Sequence, residues 1–206
     1  MPRFARSEVE EAFAHNWETG CVIEDWATWS TLFTEDAVYL DHFWGPLHGV
    51  AQIRLWIDAV MAGVPEIYTV LDWYSIDDDV VVFHCQNRRD NPDPDAAAHG
   101  EPAYWDFAGL STLWYAGDGL WRAEEDFWDL RGARTTATAY AATCSRVGAD
   151  TTEQRLLRRY WPTDGPDWAR TSQAPQPSWL EQPGLVPLTR PSQLDALLTE
   201  QLGVTR

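Results

Sequence analysis

The sequence predicts an α+β protein: a cone in which N-terminal helices pack on the concave face of a strongly curved, mixed and mostly antiparallel sheet, followed by a C-terminal helical and extended appendage. Three observations carry that reading. Apolar residues recur at three- and four-residue steps through the first sixty positions. Residues 66–128 then alternate strand-like runs with Asp- and Gly-rich turns. Beyond Leu130 the helical period returns and gives way to a Pro-rich stretch. The expected division is a core over residues 1–132 and an extension over 133–206, packed on the core or on a dimer partner.

Each element has a local reason. Ser7 followed by Glu10 predicts a capping box, and Val9, Phe13 and Trp17 form the apolar stripe of the helix behind it. Asp25 predicts the cap of a second helix through Trp26, Trp29, Leu32 and Phe33. Ala37–His42 reads as a strand, Gly45-Pro46 and Gly49 as a turn, and 50–62 as a helix stopped by Gly63-Val-Pro65. Strands follow over 66–74, 80–88, 103–115 and 120–128. The first two are joined by the turn 77–79, and the last two by Gly117-Asp-Gly119, a strong hairpin signal. Residues 91–100 read as a long connection. Helices are expected over 135–146 and 151–161, an extended segment over 162–187, and a last helix over 192–202 capped by Ser192.

Composition excludes several classes. The net charge is −17, with 32 acidic against 15 basic residues, all of the latter arginine. Phosphate binding needs a positive patch, so neither nucleic acid nor an anionic membrane surface is an expected partner. Cys21, Cys85 and Cys144 are odd in number and lack Cys-x-x-Cys spacing, so free buried thiols are expected rather than disulfides or zinc. The N-terminal residues show no apolar signal core and no window approaches a membrane span, so a cytoplasmic protein is expected. No Gly-x-Gly-x-x-Gly, Walker loop, Gly-x-Ser-x-Gly elbow or paired metal-ligand histidines occur, which leaves cofactor-free, metal-free chemistry.

The candidate site gathers on strands. Side chains alternate between the faces of a strand, so Tyr39 and Asp41 share one face and Val38 and Leu40 the other. By the same alternation Glu124 and Asp126 share a face with Arg122 and Trp128. Thirteen Trp supply aromatic walls for a small-molecule pocket inside the cone. A carboxylate facing such a hollow has its charged form disfavoured, which moves its pKa toward the range of a general base. Asp41 could equally cap the Gly45 turn or face solvent, and Arg88-Arg89-Asp90 could be a surface charge cluster. His84 is either a second acid/base or a satisfied core histidine. Asn87 could orient a substrate carbonyl or satisfy buried backbone.

The phrase "LFTEDAVYLD…GPLHGVAQIRLWI", in the order helix, acidic turn, short strand, glycine, short helix, resembles the nuclear transport factor 2-like superfamily in its SnoaL-like branch, over residues 8–132. The resemblance implies an acid–base enzyme acting on an apolar cyclic molecule, by epoxide hydrolysis, hydration or dehydration, isomerisation or cyclisation. The alternative it admits is a non-catalytic small-molecule-binding protein or dimeric scaffold of the same fold. Asp41 stands where ketosteroid isomerase-like members carry a proton-shuttling carboxylate, with Trp17 and Ser111 at the places of the two oxyanion donors. Limonene epoxide hydrolase resembles the chain at Arg88-Arg89-Asp90, Asp126-Phe-Trp-Asp-Leu-Arg131 and Tyr39-Leu-Asp41. That likeness implies Asp126 as base, Asp90 as acid, Arg88 as the bridge between them and Tyr39 as water holder, with Asp41 replacing an Asn. A homodimer is expected.

Overall fold

The computed structural model describes residues 3–149, and the segments expected over 151–161, 162–187 and 192–202 lie outside them. Helix α1 (Arg6–Trp17) opens the chain and continues into a π-helical turn, Glu18–Ile23. The Ser7 cap is not formed. Ala5 is the N-cap and makes no side-chain hydrogen bond, so the helix starts one residue ahead of Ser7. Arg6 donates to the carbonyl of Ile76, and Glu10 accepts from the Tyr74 hydroxyl instead of reaching back. Helix α2 (Trp26–Ser30) is capped as expected, Asp25 accepting from the backbone N–H of Thr28 at 3.0 Å.

Strand β1 runs Phe33–Asp41, four residues earlier than the alternation alone marked, because a register shift between Phe33 and Val38 absorbs the acidic residues Glu35 and Asp36. Gly45–His48 forms a short strand, β2, rather than a turn, and pairs antiparallel with β1. Proline is tolerated there because β2 is an edge strand. Helix α3 (Gly49–Ile57) continues into a second π-helical turn, Asp58–Ala62. Gly49 has φ +73°, and a Cβ there would lie 2.8 Å from the carbonyl oxygen of Glu35, so the strand-to-helix corner requires glycine.

Strands β3 (Tyr68–Asp77), β4 (Val80–Asp90), β5 (Tyr104–Gly117) and β6 (Leu120–Trp128) follow, with a short 3-10 turn at Ala96–His99 between β4 and β5. With β1 and β2 they form one open mixed sheet in the order β2-β1-β6-β5-β4-β3, in which, among the described residues, only the β1–β6 pair is parallel. Helix α4 (Leu130–Val147) begins directly after β6 and crosses residue 132 without a break.

One face of the sheet is covered. Val9, Phe13 and Trp17 of α1, Trp26 and Trp29 of α2, and Ile53 and Ile57 of α3 form a single core with Phe33, Tyr39, Val81, Phe83, Leu113, Tyr115 and Trp121. At the β4–β5 end Tyr140 of α4 packs edge-on to Trp105, and Arg146 ties α4 to Asp93 at 2.6 Å and Glu101 at 2.8 Å. The opposite face of the sheet leaves Val38, Trp73, Leu110 and Phe127 exposed. No helix among the described residues is long and apolar enough to cross a membrane.

Candidate active site

The parallel β1–β6 register sets Tyr39 beside Glu124 and Asp41 beside Asp126, while β5 contributes Ser111 opposite Asp126. Period-two alternation turns all five toward the helix-covered face. Three carboxyl groups and two hydroxyls therefore converge from three strands.

Tyr39 donates its hydroxyl to Asp126 Oδ2. Asp126 Oδ1 is shielded from solvent and has no hydrogen-bond partner among the described residues. Ser111, buried across the ladder, favours the charged form without completing a hydrogen bond to that oxygen. Burial pushes the Asp126 carboxyl up to about 6. The Ser111 and Tyr39 hydroxyls act against that rise, and the neighbouring Asp41 charge adds to it.

Glu124 is 5 % exposed and its Oε2 also lacks a partner. Burial first, and the nearby Asp126 charge second, raise its carboxyl well above the ordinary carboxylate range. Both carboxyls of β6 therefore hold a proton more tightly than an exposed carboxyl does. Two neighbouring buried carboxyls with raised proton affinity titrate as a pair, an arrangement that can serve acid–base chemistry.

The surroundings are apolar and thiol-lined. Trp56 packs on the Tyr39 ring at 4.5 Å between centroids, with its indole N–H unpartnered. The Tyr39 hydroxyl is raised well above its usual value by burial and by Asp126. Cys21, on the first π-helical turn, is likewise raised by burial and by Glu124, and buried Cys85 by burial and by Cys21. These thiols are poor nucleophiles. Trp17 is fully enclosed against Phe83, its indole N–H without a partner. Asn87 accepts from the Thr69 hydroxyl at 3.3 Å on the same covered face. Among the described residues, no three His, Cys, Asp or Glu side chains come together as a metal site.

Asp41 is in place, but its carboxylate is occupied. Oδ1 accepts from the backbone N–H of Phe43 at 2.7 Å and of Trp44 at 2.8 Å, and Oδ2 accepts from the Trp128 indole at 3.0 Å. Turn capping, one of the alternatives left open by the sequence, is what this side chain does.

Three sequence candidates lie apart from this cluster. Arg88 donates to Asp106 Oδ2 at 2.7 and 3.2 Å and lies over the Tyr104 ring, and Asp90 accepts from Tyr68 at 2.8 Å. His84 pairs with Asp72 at 2.8 Å and stacks on exposed Trp73. All three sit at even-numbered positions of β4, whose side chains point away from the helices, so Arg88 does not bridge Asp90 and Asp126. Conversely, strand alternation puts Glu124 on the Asp126 face, and the structure buries it there. Its importance comes from a burial that only the helices supply.

A mixed, helix-covered sheet with carboxyl groups on its enclosed face defines an α+β cone with a candidate acid–base site. Residues 9–124 match the SnoaL-like domain family, and the chain belongs to that family. No curated protein matches the sequence. Among solved structures, a protein of Jannaschia sp. CCS1 named as a SnoaL-like polyketide cyclase is similar at a TM-score of 0.50 and 18 % identity, over 63 % of this chain and 91 % of its own. An LEH-like epoxide hydrolase of M. tuberculosis is similar at a TM-score of 0.50 and 12 % identity, over 69 % and 98 % respectively. At such identities the likeness is one of fold.

Proposed function

We propose that this protein is a cofactor-independent acid–base enzyme acting on an apolar cyclic small molecule, with Asp126 as base and Glu124 as acid. The observation that carries the reading is the buried Glu124–Asp126 pair, with one oxygen on each carboxyl unpartnered among the described residues. In the working state Asp126 is ionised and takes a proton from carbon beside a carbonyl, or from water. Protonated Glu124 gives a hydrogen bond or its proton to the substrate oxygen where negative charge develops. Tyr39 steadies the Asp126 carboxylate between turnovers. Isomerisation, cyclisation and hydration or dehydration all use this exchange; epoxide opening would use it without the arginine bridge.

The test is proton exchange and turnover on a panel of cyclic enones and epoxides, followed by NMR in heavy water. Asp126→Asn and Glu124→Gln are each expected to lower the rate by about 100-fold or more. Activity should rise with pH through about 6 as Asp126 ionises. Equal rates in the parent and both variants would remove the assignment.

A second reading, a dimeric non-catalytic scaffold, is favoured by the exposed Trp73, Leu110 and Phe127 on the open sheet face. Dimerisation through that face is proposed under either reading.

A further inference from the structure

Resting on that reading, we propose that Asp41 is a positioning residue rather than a proton carrier: its buried carboxylate locks the Phe43–Trp44 turn and the Trp128 indole into an aromatic wall beside the Glu124–Asp126 pair, against which a planar ring of the substrate stacks.

The hydrogen bonds come first. A carboxylate offers about four acceptor positions, and Asp41, 2 % exposed, uses both its oxygens on three N–H donors. Two of those donors are backbone groups of the β1–β2 turn, and the third comes from β6, 87 residues along the chain. To take a substrate proton the side chain would have to surrender these bonds. To hold two separate aromatic segments in one geometry it need only stay as it is.

The rings continue from that anchor. Trp44 meets Phe43 edge-on at 4.9 Å, Phe43 meets Trp128 at 5.3 Å, and Trp128 meets buried Phe107 at 6.1 Å. The series runs from the surface, where Phe43 is 50 % and Trp44 56 % exposed, to the enclosed face of the sheet. Exposed aromatic side chains held by buried backbone hydrogen bonds are prepared to receive a flat apolar partner at little entropic cost. Trp128 lies two residues beyond Asp126 on the same face of β6, a step of about 7 Å, so a ring against this wall sets its next atoms at the carboxyl pair. Gly109, the register partner of Trp128 on β5, sets no side chain beside the indole.

A double-mutant cycle tests the inference without needing the natural substrate. Asp41→Asn retains an oxygen for the two backbone donors but presents an NH2 group where the indole needs an acceptor. Trp128→Phe keeps a ring and removes the indole N–H. With 2-naphthol as fluorescent probe, each single change is expected to weaken binding about tenfold, and the double variant no further than either single. Removing the Asp41 charge should also lower the Asp126 pKa from about 6, read by carbon NMR of the labelled carboxyl, since that charge contributes to the rise. In proton exchange well above pH 6, where Asp126 is ionised in parent and variant alike, Asp41→Asn should raise KM by more than it changes kcat. Additive effects, failure of the parent protein to bind 2-naphthol, or loss of kcat at unchanged probe affinity would each overturn the positioning role. Those results leave the Glu124–Asp126 pair untouched, because that pair is judged by its own variants.

Discussion

Glu124 keeps its proton in the folded protein under conditions where an unfolded chain has released it, because burial penalises the carboxylate. A raised folded-state pKa contributes stability that is complete below the unfolded value, near 4.5, and is lost as pH rises toward the folded one. Asp126 acts in the same direction over the range from 3.8 to about 6, which by linkage amounts to about 3 kcal/mol at most. Glu124→Gln should therefore raise Tm by several degrees at pH 8 and by much less at pH 5, checked by calorimetry across that range. A pH-independent change would contradict the assignment of a retained proton. At this scale the sequence was legible wherever strand parity decided the matter. Tyr39, Asp41 and Asp126 follow from alternation, and so does Glu124. That Arg88, Asp90 and His84 lie away from the cluster was not legible, because the face of β4 that the helices cover depends on packing over a sheet the letters do not draw.

Among elements, the join between α1 and α2 shows how a single small residue fixes a corner. A Cβ at Gly20 would lie 2.5 Å from Trp29 Cδ1 and 2.8 Å from its indole nitrogen, and Trp29 is itself a buried core residue. Gly20→Ala is expected to cost about 1–3 kcal/mol in a denaturant melt, as overpacking of a filled core does. An unchanged midpoint would mean that the π-helical turn can shift to make space. The Asp25 cap was readable because capping is a local bargain between a side chain and N–H groups three residues away. Strand β2 was not. Gly45-Pro46 carries turn chemistry, and only the long-range partner β1 makes an edge strand of it. The early start of β1 was hidden for a related reason, since its register shift is set by β6.

For the whole molecule, composition and period were enough to place helices before sheet and to expect one curved, mostly antiparallel sheet. What they left open was the order of the strands, which assembles the site. The open face of that sheet carries Trp73, Leu110 and Phe127 in exposed positions. If two copies meet there, Trp73→Glu combined with Phe127→Glu should halve the mass measured by light scattering while leaving the far-UV circular dichroism unchanged. A monomeric parent protein would remove the dimer proposal. The parallel contact between β1 and β6 has a temporal side as well. Tyr39 and Asp126 are separated by 87 residues, a stretch that takes a ribosome on the order of ten seconds to synthesise. During that interval the nascent β1 waits without its principal neighbour, and a chain interrupted before Leu120 carries every helix of the N-terminal half yet neither Glu124 nor Asp126.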